Sequence, residues 1–234
     1  MPAMADGGGQ RGVYGRAESP YNIECSTTAF ASGSSNGTRT SILASFASFG
    51  FAGETVSSGR SPASNNALVG YSPSRGVIPI RYEDMIEAVR IRTDTLYDIP
   101  GCEVAVQALE AARKKDLEDW MDENNFDCIV FPTNGDVASA DAEEKLESMM
   151  HALQDGIKYA NGGSALKRLG IPAITAPVGT LHEIGMPVGI TFCGKGWGDN
   201  KLLSYVYAYE NVTKSADIPA FDTRSSVRQD KDGL

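Results

Sequence analysis

Histidine is nearly missing from this sequence: His151 and His182 are the only two in 234 residues. A Ser-His-Asp triad or a histidine-rich metal site is hard to build from so few. The four cysteines, Cys25, Cys102, Cys128 and Cys193, lie far apart and lack the close pairs of a zinc site. They read as reduced, mostly buried thiols of a cytoplasmic protein. Basic residues are in deficit, with 21 Lys and Arg against 30 Asp and Glu and a net charge of −9. That argues against a nucleic-acid or anionic-membrane partner, because little is available to neutralise phosphates. No apolar run approaches the ~20 residues of a membrane span. Met1 to Gln10 is small and polar, without the apolar centre of a secretory signal.

Hydrophobic residues make up 41% of the chain, enough for a substantial core. The length suits one α/β domain over 1–234. Residues 1–38 are rich in Gly, Ser, Thr and Asn and read as loop. Ile42, Leu43, Ala44, Phe46, Ala47 and Phe49 predict a short buried helix near 38–49, followed by a short strand over 49–55. Ser57 to Asn66 is polar and turn-like. Tyr82 to Asn124 is charged and amphipathic, predicting two helices broken around Ile99, Pro100 and Gly101. Apolar runs closed by Pro or Gly predict strands at 127–131, 173–176 and 187–192. Helices are expected over 141–160 and 200–209, and a loose tail over 222–234. The order of elements points to α/β, a mixed β-sheet with helices on its faces. Trp120 and Trp197 are expected to pack rather than to bind ligand.

Two stretches are unusual: Ala31-Ser-Gly-Ser-Ser-Asn-Gly37 and Gly53-Glu-Thr-Val-Ser-Ser-Gly-Arg-Ser-Pro-Ala-Ser64. By composition such Gly/Ser runs are solvated loops. Chemistry offers a sharper alternative. A serine hydroxyl is a weak nucleophile and needs a neighbouring base. A second serine can relay the proton where no histidine is available. Small residues before a nucleophile let successive backbone N–H groups converge on one point, as an oxyanion hole requires.

Together these stretches resemble the amidase signature, which reads G-G-S-S-G-G, a small-residue helix, then D-T-G-G-S-I-R-x-P-A. The first part stands here as Gly33-Ser34-Ser35-Asn36-Gly37. The second stands as Glu54-Thr55-Val56-Ser57-Ser58-Gly59-Arg60-Ser61-Pro62-Ala63. The family nucleophile falls on Ser58, and the relay serine, held by a cis peptide, on Ser34. Their separation of 24 positions keeps the family register without a gap. Thr55, Val56 and Ser57 would supply oxyanion N–H groups. Arg60 is read as a structural partner tying the loop to a carboxylate, and Glu54 as a residue of the same kind. The resemblance spans a signature region of about 11–80 and a C-terminal region of about 115–212. The latter includes Phe126-Asp-Cys-Ile-Val-Phe-Pro-Thr133, Leu169-Gly-Ile-Pro-Ala-Ile-Thr-Ala-Pro-Val-Gly179 and Gly185-Met-Pro-Val-Gly-Ile-Thr-Phe-Cys-Gly194. The wording is nearest to fungal-type amidases.

The resemblance implies an amidase, hydrolysing a carboxylic amide to acid and ammonia by a Ser-Ser-Lys mechanism on a small-molecule amide substrate, with no metal or organic cofactor. Two departures stand out. The family base is a lysine in a K-D motif before the serine pair, whereas the first lysine here is Lys114. Val77 also runs almost directly into Tyr82, where family members carry a large segment. The chain therefore reads as truncated and internally deleted. The alternative reading is a catalytically inactive remnant or incomplete gene product. Such a chain is expected to expose apolar surface and to need a homo-oligomer or partner chain. Lys114, Lys115 and Lys195 are expected to point into water rather than replace the missing base.

Overall fold

The computed structural model describes residues 11–12, 15–16, 19–29, 33–54, 56–77, 100–142, 144–155 and 159–215. Thr55, the helix expected before Ile99 and the tail lie outside the described residues. Two short strands, β1 (Arg11–Gly12) and β2 (Gly15–Arg16), form an antiparallel ribbon. Helix α1 (Asn36–Leu43) and the short α2 (Arg60–Ser64) follow, then β3 (Gly70–Ser72). Helix α3 (Cys102–Arg113) continues through a π-helical turn at Lys114–Glu118 into α4 (Asp119–Glu123). The order then runs β4 (Ile129–Pro132), α5 (Leu146–Asp155), α6 (Ala165–Leu169), β5 (Ala173–Thr180), β6 (Pro187–Cys193) and α7 (Asp199–Thr213).

The four-stranded sheet has the order β3-β5-β6-β4. The α/β class is as expected, with helices on both faces. Each of the three pairings among the described strands is antiparallel. The three predicted strands are present, with bounds shifted by at most four residues. Ala173 to Ala176 are fully buried, as a continuous apolar run bounded by prolines implies. Alternation along β5 and β6 divides the core between two faces. On one face Ile174, Ala176 and Phe192 pack with Leu202 and Val206 of α7. On the other, Ala173 and Cys193 pack with Leu166 and Ile171. Helix α2 also lies against the sheet. A Cβ on Gly189 would come within 2.9 Å of the Ala176 carbonyl and 3.1 Å of Ser64 Oγ. Glycine lets α2 approach β6 that closely.

Three local expectations are corrected. The helix expected over 38–49 stops at Leu43, because Ser45 turns the chain with φ +63°. Phe46, Phe49 and Phe51 follow that turn, and at 83%, 75% and 74% exposure they are not a buried face. No strand forms over Phe51–Glu54, where the backbone finds no neighbouring strand to pair with. Of the helix expected over 141–160, Leu146–Asp155 is helical among the described residues. Before it, Ala142 and Glu144 donate turn-type bonds to the Ser139 and Asp141 carbonyls. Helix α3 starts directly after Gly101, which has φ +81°; the residues before Pro100 on the other side of the expected break lie outside the described residues. Strand β3 and the short helices α2 and α6 were not legible, since segments of three to five residues carry too little periodicity.

Polar groups also organise the core. Thr133, Thr175 and Thr191 are fully buried, and Thr191 Oγ1 lies 2.9 Å from each of the other two hydroxyl oxygens. Burying hydroxyls is costly unless they pair. Thr191→Val is therefore expected to lower stability by about 1–3 kcal/mol in urea denaturation. Replacing all three threonines by valine should recover part of that loss, because no hydroxyl is then left without a partner.

Asp199 anchors the exit of β3 to α7. Its carboxylate accepts from the Ser74 N–H at 2.9 Å, the Ser74 hydroxyl at 2.5 Å and the Tyr71 hydroxyl at 2.6 Å. Burial pushes the Asp199 carboxyl up, but the bonds from Ser74 and Tyr71 outweigh it and hold the group below its ordinary value. A depressed folded-state value means a contribution present above the unfolded-state pKa and lost as pH falls through the folded one. Acid titration of stability should show a component disappearing below about pH 4, and Asp199→Asn should flatten that part of the curve.

Candidate active site

The two serine-rich stretches are brought together, and Ser35 is what joins them. Ser35 Oγ donates to the Gly53 carbonyl at 3.3 Å and accepts from the Gly53 N–H at 3.0 Å. Ser35 stands at the N-cap of α1 yet makes no capping bond to the helix. Its hydroxyl is committed across the loop instead. Asn36, the first residue of α1, reaches back to Thr27 Oγ1 at 3.4 Å.

The second stretch is shaped by a buried charge pair. Arg60 is 2% exposed and Glu54 11%. Glu54 Oε2 accepts from the backbone N–H groups of Gly59 and Arg60 at 2.8 and 2.9 Å. Glu54 Oε1 accepts from Arg60 Nη2 at 3.4 Å. Arg60 also donates to the carbonyls of Val56 at 2.5 Å, Asn161 at 2.6 Å and Gly163 at 3.2 Å. The carboxylate thus engages the backbone amides entering α2, while the guanidinium sews that turn to the segment before α6. This is the structural role expected of both residues. Gly59 is required by the close approach, since a Cβ there would lie 2.9 Å from Glu54 Oε2.

Ser58 sits in the turn leading into α2 and is half-buried; Ser57 beside it is buried, and its carbonyl accepts from the Ser61 N–H at 2.8 Å. Ser34 is half-buried in the turn leading into α1. Among the described residues no hydrogen bond joins Ser34 to Ser58, and none links a lysine to Ser34. Every peptide bond among them is trans, so the cis bond expected at Ser34 is not adopted. A non-proline cis bond costs about 3–4 kcal/mol and persists only where its surroundings over-determine it. Four lysines are engaged elsewhere: Lys114 with Asp119, Lys145 with Asp141, Lys195 with Asp122 and Lys201 with Asp127.

Several positioning residues carried no distinct sequence signal. Asn65 Oδ1 accepts from the Ala29 N–H at 3.1 Å and Asn134 Nδ2 at 2.8 Å, while its amide donates to the Pro187 carbonyl at 3.3 Å. Asn66 donates to the Thr27 and Pro62 carbonyls at 3.0 and 2.7 Å. These asparagines hold the exit of α2 against strands distant in sequence. The cysteines are poor alternative nucleophiles. Burial pushes the Cys193 thiol up to about 11, and raises Cys25 and Cys128 as well. Trp120 packs edge-on against Phe126 with centroids 5.2 Å apart, and both Trp120 and Trp197 are largely exposed.

No family model matches the chain. It is 29% identical over 125 residues to mandelamide hydrolase of Pseudomonas putida, covering 51% of this chain and 23% of that protein. It is 31% identical over 99 residues to fatty acid amide hydrolase of Arabidopsis thaliana, covering 41% of this chain and 16% of that protein. The chain thus spans less than a quarter of the length of these curated relatives. Its fold is similar to native peptide amidase from Stenotrophomonas maltophilia, with a TM-score of 0.60 and 17% identity over 89% of this chain and 70% of that one. In sequence and in fold the chain thus resembles amidase-signature enzymes. Allophanate hydrolase of Kluyveromyces lactis has a similar fold, with a TM-score of 0.57 and 15% identity over 93% of this chain and 55% of that one.

The Glu54–Arg60 pair should dominate the stability of the loop. Glu54→Gln leaves a buried guanidinium without its counter-charge and is expected to cost about 3–5 kcal/mol. Calorimetry of the variant measures this directly; a loss under about 1 kcal/mol, as for an exposed pair, would contradict the assignment.

Proposed function

We propose that this chain carries the nucleophile region of a carboxylic-amide hydrolase. The observation that carries this is the Glu54–Arg60 clamp immediately around Ser58, in a chain whose serine pair is tied to the same loop through Ser35 and Gly53. Ser58 Oγ attacks the amide carbonyl, forming a C–O bond and moving the carbonyl π electrons onto oxygen. Backbone N–H groups of Thr55, Val56 and Ser57 receive that oxyanion. The Ser58 proton passes through Ser34 to a base and then to the departing nitrogen as the C–N bond breaks. Water then hydrolyses the acyl ester, releasing the acid and restoring Ser58. The substrate is a small-molecule amide, the setting cytoplasmic, and no nucleic acid takes part. No helix among the described residues is long and apolar enough to cross a membrane.

The base is what this sequence lacks. The family resemblance puts it on a lysine before the serine pair, and Lys114 is the first lysine here. Without it Ser58 stays a neutral alcohol, and general-base assistance is commonly worth ~10²–10⁴-fold. A second reading, a catalytically inactive remnant, is favoured by the absence of a Ser34–Ser58 hydrogen bond among the described residues. Both readings give very weak or no turnover by the chain alone. The purified chain should therefore release little ammonia from simple aliphatic and aromatic amides, measured beside a Ser58→Ala control. Robust turnover abolished by that substitution would reveal a base within this chain. Supplying a lysine-bearing segment in trans separates the two readings, since only a competent nucleophile region gains activity that depends on Ser58.

A further inference from the structure

A cavity of about 530 Å³ opens beside the signature loop, and neither Ser34 nor Ser58 lines it. Its walls include Ile42, Phe49, Phe51, Leu68 and Tyr71. Phe49 and Phe51 meet edge-to-face with centroids 6.3 Å apart. The volume is in the range of small-molecule sites, which are mostly apolar with a few fixed polar groups.

The polar lining is cationic although the chain as a whole carries a net charge of −9. Arg39, Arg60 and Lys167 line the cavity, with Glu54 as the one acidic lining residue. Glu54 is already engaged by Gly59 and Arg60. Arg39 differs from Arg60. It projects from α1, is 8% exposed, and its Nε has no hydrogen-bond partner. Among the described residues no carboxylate forms an ion pair with it. Burial pulls its guanidinium below the ordinary value, and only the more distant charge of Glu54 opposes this. A buried guanidinium without a hydrogen-bonded anion is costly, and its planar fork matches a carboxylate.

We infer that this cavity binds a small monocarboxylate bearing one aromatic ring, with the carboxylate on Arg39 and the ring against Phe49 and Phe51. Lys167 contributes charge at the same cavity. The cavity shares Glu54, Gly59 and Arg60 with the signature loop but neither serine, so ligand binding is tested without reference to the proposed hydrolysis.

Isothermal titration of the whole chain with phenylacetate tests this, with uncharged 2-phenylethanol and inorganic phosphate as comparison probes. Phenylacetate should bind, and each comparison probe should bind at least about tenfold more weakly. Arg39→Met should weaken phenylacetate about 10–100-fold, as expected for loss of charge-assisted bonds. The variant should stay folded by circular dichroism, because it removes a buried charge without a hydrogen-bonded counter-ion. Lys167→Ala, at an exposed position, should weaken binding a few-fold. Ser58→Ala should bind like the parent. The inference is overturned if the folded parent does not bind phenylacetate, if Arg39→Met binds it equally well, or if 2-phenylethanol or phosphate binds as tightly.

Discussion

The signature loop depends on one buried ion pair. Arg60 is almost wholly removed from water and reaches four oxygen-bearing groups: Glu54 and the carbonyls of Val56, Asn161 and Gly163. Desolvating a guanidinium is expensive, so the pair stabilises only because each partner makes further bonds. Glu54 does so through two backbone amides, which sets the turn entering α2. Once that turn is set, Ser58 is carried by a backbone with little freedom, and α2 is delivered against Gly189 of β6.

The serine pair is held differently. Ser35 spends its hydroxyl on Gly53, which brings the first stretch to the second without fixing Ser34 itself. Among the described residues no hydrogen bond joins Ser34 to Ser58.

The same loop has an apolar flank. The chain leaves α1 at Ser45 and presents Phe46, Phe49 and Phe51 outward. Side chains of that size are ordinarily covered, and here Phe49 and Phe51 border a cavity that also holds a buried arginine. The proposed amide chemistry and the cavity meet at Glu54, Gly59 and Arg60, which shape the loop and line the cavity at once.

The sequence by itself determined the α/β class, the three core strands expected at 127–131, 173–176 and 187–192, and the start of α3 after Gly101. Long apolar runs ended by Pro or Gly leave few other ways to bury themselves. It also determined the family resemblance and the pairing of Arg60 with a carboxylate, because a 24-residue register between two short motifs is a strong local constraint. Tertiary structure alone decided the rest. The end of α1 at Leu43 followed from how the chain turns at Ser45, not from the apolar spacing that continued past it. The roles of Ser35 and Asn65 depend on partners 18 and 122 positions away, and that of Arg39 on a cavity lined from several segments. Which hydroxyl is bonded, which asparagine holds a strand and which arginine is left facing a cavity are questions of position in space. A single residue's identity carries no information about that until the chain has folded around it.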